Sequence, residues 1–115
     1  MTDHIFPNAT SELAAARQAL APDTEKAFRD FSKQVFAEGA LSTKTKQLIA
    51  VAAAHITQCP YCIRGHTKAA RRLGATPEEL MEAIWVAVEM RAGGAYAHSA
   101  IALDTLNEVK STHGA

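Results

Sequence analysis

Residues 42–66 read STKTKQLIAVAAAHITQCPYCIRGH, and this stretch decides the fold. Ser42 has the side chain of a helix N-cap. The alanine-rich run KQLIAVAAAHIT after it is composed for a helix and lacks the apolar–polar alternation of a strand. Pro60 interrupts it, because proline disfavours the α conformation at the residue before it and suits the first position of a new helix. Two helices are therefore expected, joined near Gln58, with Cys59 as N-cap of the second and Cys62 in its first turn.

The flanks repeat the pattern. Upstream, residues 10–20 form a weak helix that stops before Pro22. Asp23 is the expected N-cap of another helix, on which Phe28, Phe31, Val35 and Phe36 recur at helical spacing, and Gly39 is its expected C′ residue. Downstream, the CPYC helix runs to Leu73 and closes at Gly74. Thr76-Pro77-Glu78-Glu79 is a capping box with proline at the first helical position. Its helix presents Leu80, Ala83, Ile84, Ala87 and Val88 on one face and is expected to end near Gly93-Gly94. A last helix covers 95–109, and the tail STHGA is expected to fray. The prediction is an all-α chain of about six helices forming one domain over residues 1–115, with no internal repeat or linker.

Composition limits the function. The 115 residues carry 12 Lys+Arg against 12 Asp+Glu, and a chain without basic excess is a poor nucleic-acid partner. No apolar stretch reaches the roughly 20 residues that span a bilayer. The first residues lack a basic segment followed by an apolar one, so no secretion signal is expected. Two cysteines are too few for a disulfide-stapled secreted domain, and the expected setting is a reducing cytoplasm. Hydrophobic residues make up 48% of the chain but aromatics only 6%. Small side chains leave little isolated core volume, which suggests a core completed by oligomerisation.

The chemistry concentrates at CPYCIRGH, residues 59–66. One helical turn separates the two cysteines by about 5–6 Å between Cα atoms, a span a disulfide accepts. The helix N-terminus stabilises a thiolate and lowers its pKa. His66, four residues after Cys62, shares its face and can exchange a proton with its sulfur. Zinc would need four ligands; C-x2-C-x3-H offers three, and His55 lies before the proline break. The CPYC tetrapeptide also occurs in glutaredoxins, but there it comes after a β-strand.

Taken together, LSTKTKQLIAVAAAHITQCPYCIRGHTKAA, the capped helix after it and EMRAGGAYAHS resemble the carboxymuconolactone decarboxylase superfamily, in its alkylhydroperoxidase D-like branch. The resemblance covers most of the chain after about residue 23. It implies an all-helical fold, homo-oligomers (trimers or hexamers) and thiol-dependent reduction of peroxides or disulfides. It also implies roles: Cys62 becomes the sulfenic acid, Cys59 donates a proton and then closes the disulfide, and His66 relays the proton. One position departs from the motif, which has a glutamate where this chain has Gln47. An amide can orient His66 or a water but cannot act as the base.

The other candidates are weaker. Glu89 interrupts the apolar run IWVAVEM and is expected either in an ion pair or, in apolar surroundings, as a substitute for the missing glutamate. His98 and His55 are expected as satisfied core histidines, with relay roles as the sharper alternative. Trp85 and Phe28, Phe31 and Phe36 are expected in the core or at a subunit interface. His4 and His113 fall in loose ends.

The expected function is a thiol peroxidase or disulfide oxidoreductase that needs no cofactor or metal. Its partners would be a hydroperoxide or disulfide substrate, an external thiol donor and further copies of itself, with neither nucleic acid nor membrane. Two rivals stand beside it. Lactone decarboxylation would use the histidines and leave the cysteines dispensable. A non-catalytic, zinc-binding oligomeric module would use the cysteines only as ligands.

Overall fold

The structure, a computed structural model, describes residues 5–112. Five helices account for nearly all of it, and the described residues include no strand: α1 Ser11–Leu20, α2 Pro22–Phe36, α3 Thr43–Thr57, α4 Pro60–Arg72 and α5 Pro77–Thr112. His4 and His113 lie outside the described residues, as does the end of the expected frayed tail.

Local chemistry sets most of these boundaries. Thr10 caps α1 by accepting from the Leu13 N–H at 3.2 Å, and Ser42 caps α3 by accepting from Thr45 at 3.0 Å. Thr76 and Glu79 form the reciprocal capping box of α5, at 3.1 and 2.8 Å. The end of α4 turns on Gly74, whose φ of +93 is the left-handed conformation that glycine adopts without a Cβ penalty. Gln58 takes a similar conformation, φ +57, at the end of α3 and turns the chain sharply into Cys59.

Three boundaries differ from expectation. Pro22 itself opens α2, with Ala21 before it and no side-chain cap, so Asp23 lies inside the first turn. That helix ends at Phe36, and Gly39 is not its C′ residue. Instead Lys46 reaches across from α3, and its ammonium donates to the carbonyls of Val35 and Ala37 at 2.8 and 2.6 Å, satisfying acceptors that glycine geometry would otherwise serve. Third, α5 runs unbroken through Gly93-Gly94, so the expected last two helices are one. Neither glycine has a positive φ, and no proline comes after them to enforce a stop. A glycine in a helix interior costs only about 1 kcal/mol, which good helix formers on both sides outweigh.

At the centre, α3 packs against α4 on one side and α5 on the other, while the α1–α2 hairpin touches α3 lightly. Val51 is fully buried, joined by Ala54, Ala70, Ala75 and Ala87. Arg91 ties α5 to the end of α3 by donating to the Ile56 carbonyl at 2.7 Å. This core is small, and the aromatic residues are largely outside it: Phe28, Phe31 and Trp85 are exposed on the chain. His98 is exposed as well, not a core histidine. Among the described residues no helix is long and apolar enough to cross a membrane.

Candidate active site

Cys59 sits where the sequence places it, as N-cap of α4, and its sulfur accepts the Cys62 backbone N–H at 3.2 Å. Both cysteines are free and half-buried. The pair divides its charge unevenly. A hydrogen bond from the Cys62 thiol, followed by the Cys62 and Tyr61 backbone N–H groups, holds the Cys59 pKa below that of an ordinary thiol. Donating that bond, together with burial and the charge on Cys59, pushes Cys62 up. Of the two thiols, Cys59 is therefore the one that ionises more readily, and Cys62 the one that holds its proton more tightly. The backbone N–H groups of the helix N-terminus act on the N-cap sulfur, where they add to the lowering by the Cys62 thiol.

One turn beyond Cys62, His66 is fixed from two sides. Its Nδ1 lies 2.7 Å from Oε1 of Gln47, a buried side chain on α3. Phe36, from the end of α2, stacks on the imidazole with ring centroids 5.2 Å apart. An amide oxygen only accepts, so the contact keeps the proton on Nδ1 and leaves the lone pair on Nε2.

These groups line a groove of about 670 Å3. One wall is α4, with Cys62, Gly65, His66 and Ala69; the other is α2, with Arg29, Ser32, Lys33 and Phe36. Both sets keep the i, i+3, i+4, i+7 spacing of a single helical face. Gln47 and Tyr61 complete the lining. Tyr61 is anchored outward, donating to the Pro7 carbonyl at 2.7 Å and meeting Phe6 edge-on.

Of the residues singled out in the sequence, the structure brings together Cys59, Cys62, His66 and Gln47. It does not bring the others there. His55 is half-buried on the far side of the Cys59 turn, its Nδ1 2.7 Å from the Val51 carbonyl, and it lines a separate hollow with Arg64. Glu89 is exposed on α5, so the apolar surroundings expected for it are not found on the chain, and neither it nor His98 lines the groove. Among the described residues no three His, Cys, Asp or Glu side chains are grouped to hold a metal ion. The α2 wall is the part of the site that sequence reasoning misses. A signal for it exists, since residues 29, 32, 33 and 36 repeat the spacing of 62, 65, 66 and 69, but nothing local says that the two helices face each other.

A short all-α chain with a dithiol at a helix start and a histidine one turn on defines a class of small helical proteins, and the comparisons place it. Residues 22–105 match the carboxymuconolactone decarboxylase family, and the chain belongs to that family. It is 58% identical, over 95% of its own length and 97% of the relative's, to a Paracoccus denitrificans protein called "Uncharacterized protein 4 in cox locus". Among solved structures it is similar to a carboxymuconolactone decarboxylase family protein of Legionella pneumophila, with 36% identity and a TM-score of 0.68 over 85% of this chain and 88% of that one. It is also similar to a family member of Thermotoga maritima described as a candidate for a role in an antioxidative response. That match has 28% identity and a TM-score of 0.57 over 79% of this chain and 94% of the other.

Proposed function

We propose that the chain is a thiol-dependent peroxidase of the alkylhydroperoxidase D-like kind, acting in a reducing cytoplasm. The observation that carries this reading is the Cys59–Cys62 pair opening α4, where the Cys62 backbone N–H donates to the Cys59 sulfur, with Cys62 in the same groove as His66. The family includes lactone decarboxylases, but decarboxylation has no use for a dithiol poised in this way.

The chemistry balances with the residues present and a hydroperoxide. His66 Nε2 takes the Cys62 thiol proton as the sulfur attacks the distal oxygen of ROOH. The O–O bond breaks, an S–O bond forms, and the alkoxide leaves with the proton from His66 as ROH. Sulfur has lost two electrons and is a sulfenic acid. The Cys59 thiolate then attacks it, forming the disulfide and expelling hydroxide, which solvent protonates to water. An external dithiol donor restores both cysteines by exchange and becomes a disulfide itself. No cofactor takes part.

The lowered pKa of Cys59 favours a second reading, in which that thiolate attacks a substrate disulfide directly. One assay separates the two. With dithiothreitol as donor, the peroxidase reading expects consumption of cumene hydroperoxide, abolished in Cys62→Ser, and an intact mass two hydrogens lighter after one equivalent of oxidant. Disulfide reduction without peroxide turnover would select the second reading, and neither activity would leave the decarboxylase rival.

A further inference from the structure

The two walls of the groove differ in character. The α4 wall carries the reacting groups, whereas the α2 wall carries two cations, Arg29 and Lys33, and no carboxylate lines the groove at all. In a chain whose basic and acidic residues balance at 12 each, this is a local excess of positive charge. The cations of α4 lie elsewhere: Arg64 and Lys68 line other hollows and Arg71 donates to the Ala75 carbonyl, so the excess in the groove is that of Arg29 and Lys33.

The two groove cations are not equivalent. Arg29 is occupied: its Nε donates to Glu25 at 3.3 Å and its terminal nitrogen to Gln18 at 3.1 Å. Lys33 has no ion-pair partner among the described residues. It lies three residues before Phe36, the ring stacked on His66, and so sits one helical turn from the contact that closes the groove at the proton-transferring group. Besides these cations, the lining includes the apolar surface of Phe36, Tyr61 and Ala69. The groove, of about 670 Å3, is broad and open to solvent. A flexible ammonium beside aromatic surface is the complement of a compound that is apolar along its body and anionic at one end.

We propose that Lys33 is a specificity-determining residue that binds the carboxylate of an amphipathic hydroperoxide, whose apolar body lies against Phe36 and Tyr61 while its peroxide reaches Cys62. The proposal rests on the peroxidase reading and names the substrate class of that site. The Lys33 ammonium attracts an anionic substrate and does nothing for a neutral one.

The test compares one hydroperoxide in two charge states, linoleic acid hydroperoxide and its methyl ester. For the wild-type chain, kcat/KM for the acid should exceed that for the ester by about fivefold, the scale of one partly solvated ion pair. The preference should shrink as salt rises through the range where the Debye length falls below about 8 Å. Lys33→Gln should bring the ratio close to one by lowering kcat/KM for the acid alone, with the ester unchanged. Lys33→Arg should keep the preference. Because Lys33 is exposed, both variants are expected to fold, with helical circular dichroism as the check. Equal use of acid and ester by the wild type, or a Lys33→Gln effect shared by both substrates, overturns the proposal and leaves the peroxidase reading standing. Turnover of neither compound, nor of cumene hydroperoxide, overturns both.

Discussion

Gln47 on α3 holds the imidazole of His66 on α4 through a single contact of 2.7 Å between Oε1 and Nδ1. Among the described residues it is the buried polar side chain, and its place in the structure is explained by this partner. The contact fixes which nitrogen of His66 is basic, because the amide oxygen demands a proton on Nδ1. It does so without charge. A carboxylate in the same position would both orient the ring and stabilise the imidazolium that forms as Cys62 loses its proton.

Gln47→Glu should therefore raise peroxidase turnover, by about tenfold if the gain of a charged over a neutral hydrogen bond is realised in the transition state. A carboxylate beside His66 favours the protonated ring, so the acid limb of the kcat/KM profile should move to higher pH. Gln47→Leu should go the other way on both counts. It strands Nδ1–H without an acceptor, lowers activity and destabilises the chain by about 1–3 kcal/mol. Rates and pH limbs identical across Gln47, Glu and Leu would show that the contact has no part in proton transfer.

The thiol pair should titrate unequally. Cys59 is held below the ordinary thiol range by the hydrogen bond from Cys62 and by backbone N–H groups at the start of α4. A group with a depressed pKa is ionised at pH values where a free cysteine is not, so iodoacetamide at neutral pH should label Cys59 first. In Cys62→Ala the chief cause of the depression is gone, and the midpoint of Cys59 alkylation should shift upward. Labelling that begins at Cys62 would reverse the charge assignment.

The order of oxidation is a separate matter, set by access to the groove and by His66. Cys62 lines the groove with His66, so Cys59→Ser should leave a sulfenic acid on Cys62 that persists and then over-oxidises, because no resolving thiol is near. Trapping with a dimedone-type reagent followed by peptide mass analysis locates the adduct. A sulfenate found on Cys59 in Cys62→Ser, with turnover retained, would sink the mechanism.

How far the residues announce this arrangement depends on whether the deciding interaction is local. The caps at Ser42, Cys59 and Thr76 are written within four residues of the helices they start and are readable, and so is the left-handed turn at Gly74. Asp23, by contrast, reads as a cap but lies inside α2, and Thr10 caps the helix that the pattern starts at Thr10 itself. The end of α2 escapes a local reading because its last carbonyls are satisfied by Lys46 from another helix. Gly93-Gly94 resembles a stop, but glycine terminates a helix only when the chain also turns there, and no residue after the pair imposes a turn. The same distinction governs the site. Cys59, Cys62 and His66 lie within eight residues and declare themselves by spacing. The Gln47 contact is only one option that the sequence leaves open for its amide, and the α2 wall, with Lys33, depends on a packing that no local pattern encodes.

The exposed surface leads to the last prediction. The chain has 9037 Å2 of accessible surface, where a compact folded monomer of 12.3 kDa has about 6,100 Å2. Its radius of gyration is 20.5 Å, against about 13 Å for a compact domain of this length. Several elements contribute: α1 and α2 have no buried residue, and α5, whose 36 residues extend about 54 Å at the usual rise, reaches far beyond the small core. Its distal half carries Tyr96, Ile101, Leu103 and Leu106, each more than 60% exposed. A stable interface takes about 800 Å2 from each partner, so the surplus of about 2,900 Å2, read from the same scaling, suits more than one interface per chain. That favours a trimer or hexamer over a simple dimer. Light scattering coupled to size exclusion should give a mass three or six times that of the chain at micromolar concentration. Ile101→Glu or Leu106→Glu should reduce it, since burying an unpaired carboxylate at an apolar contact is costly. A wild-type chain that stays monomeric at those concentrations would show that α5 stands in water without a partner copy.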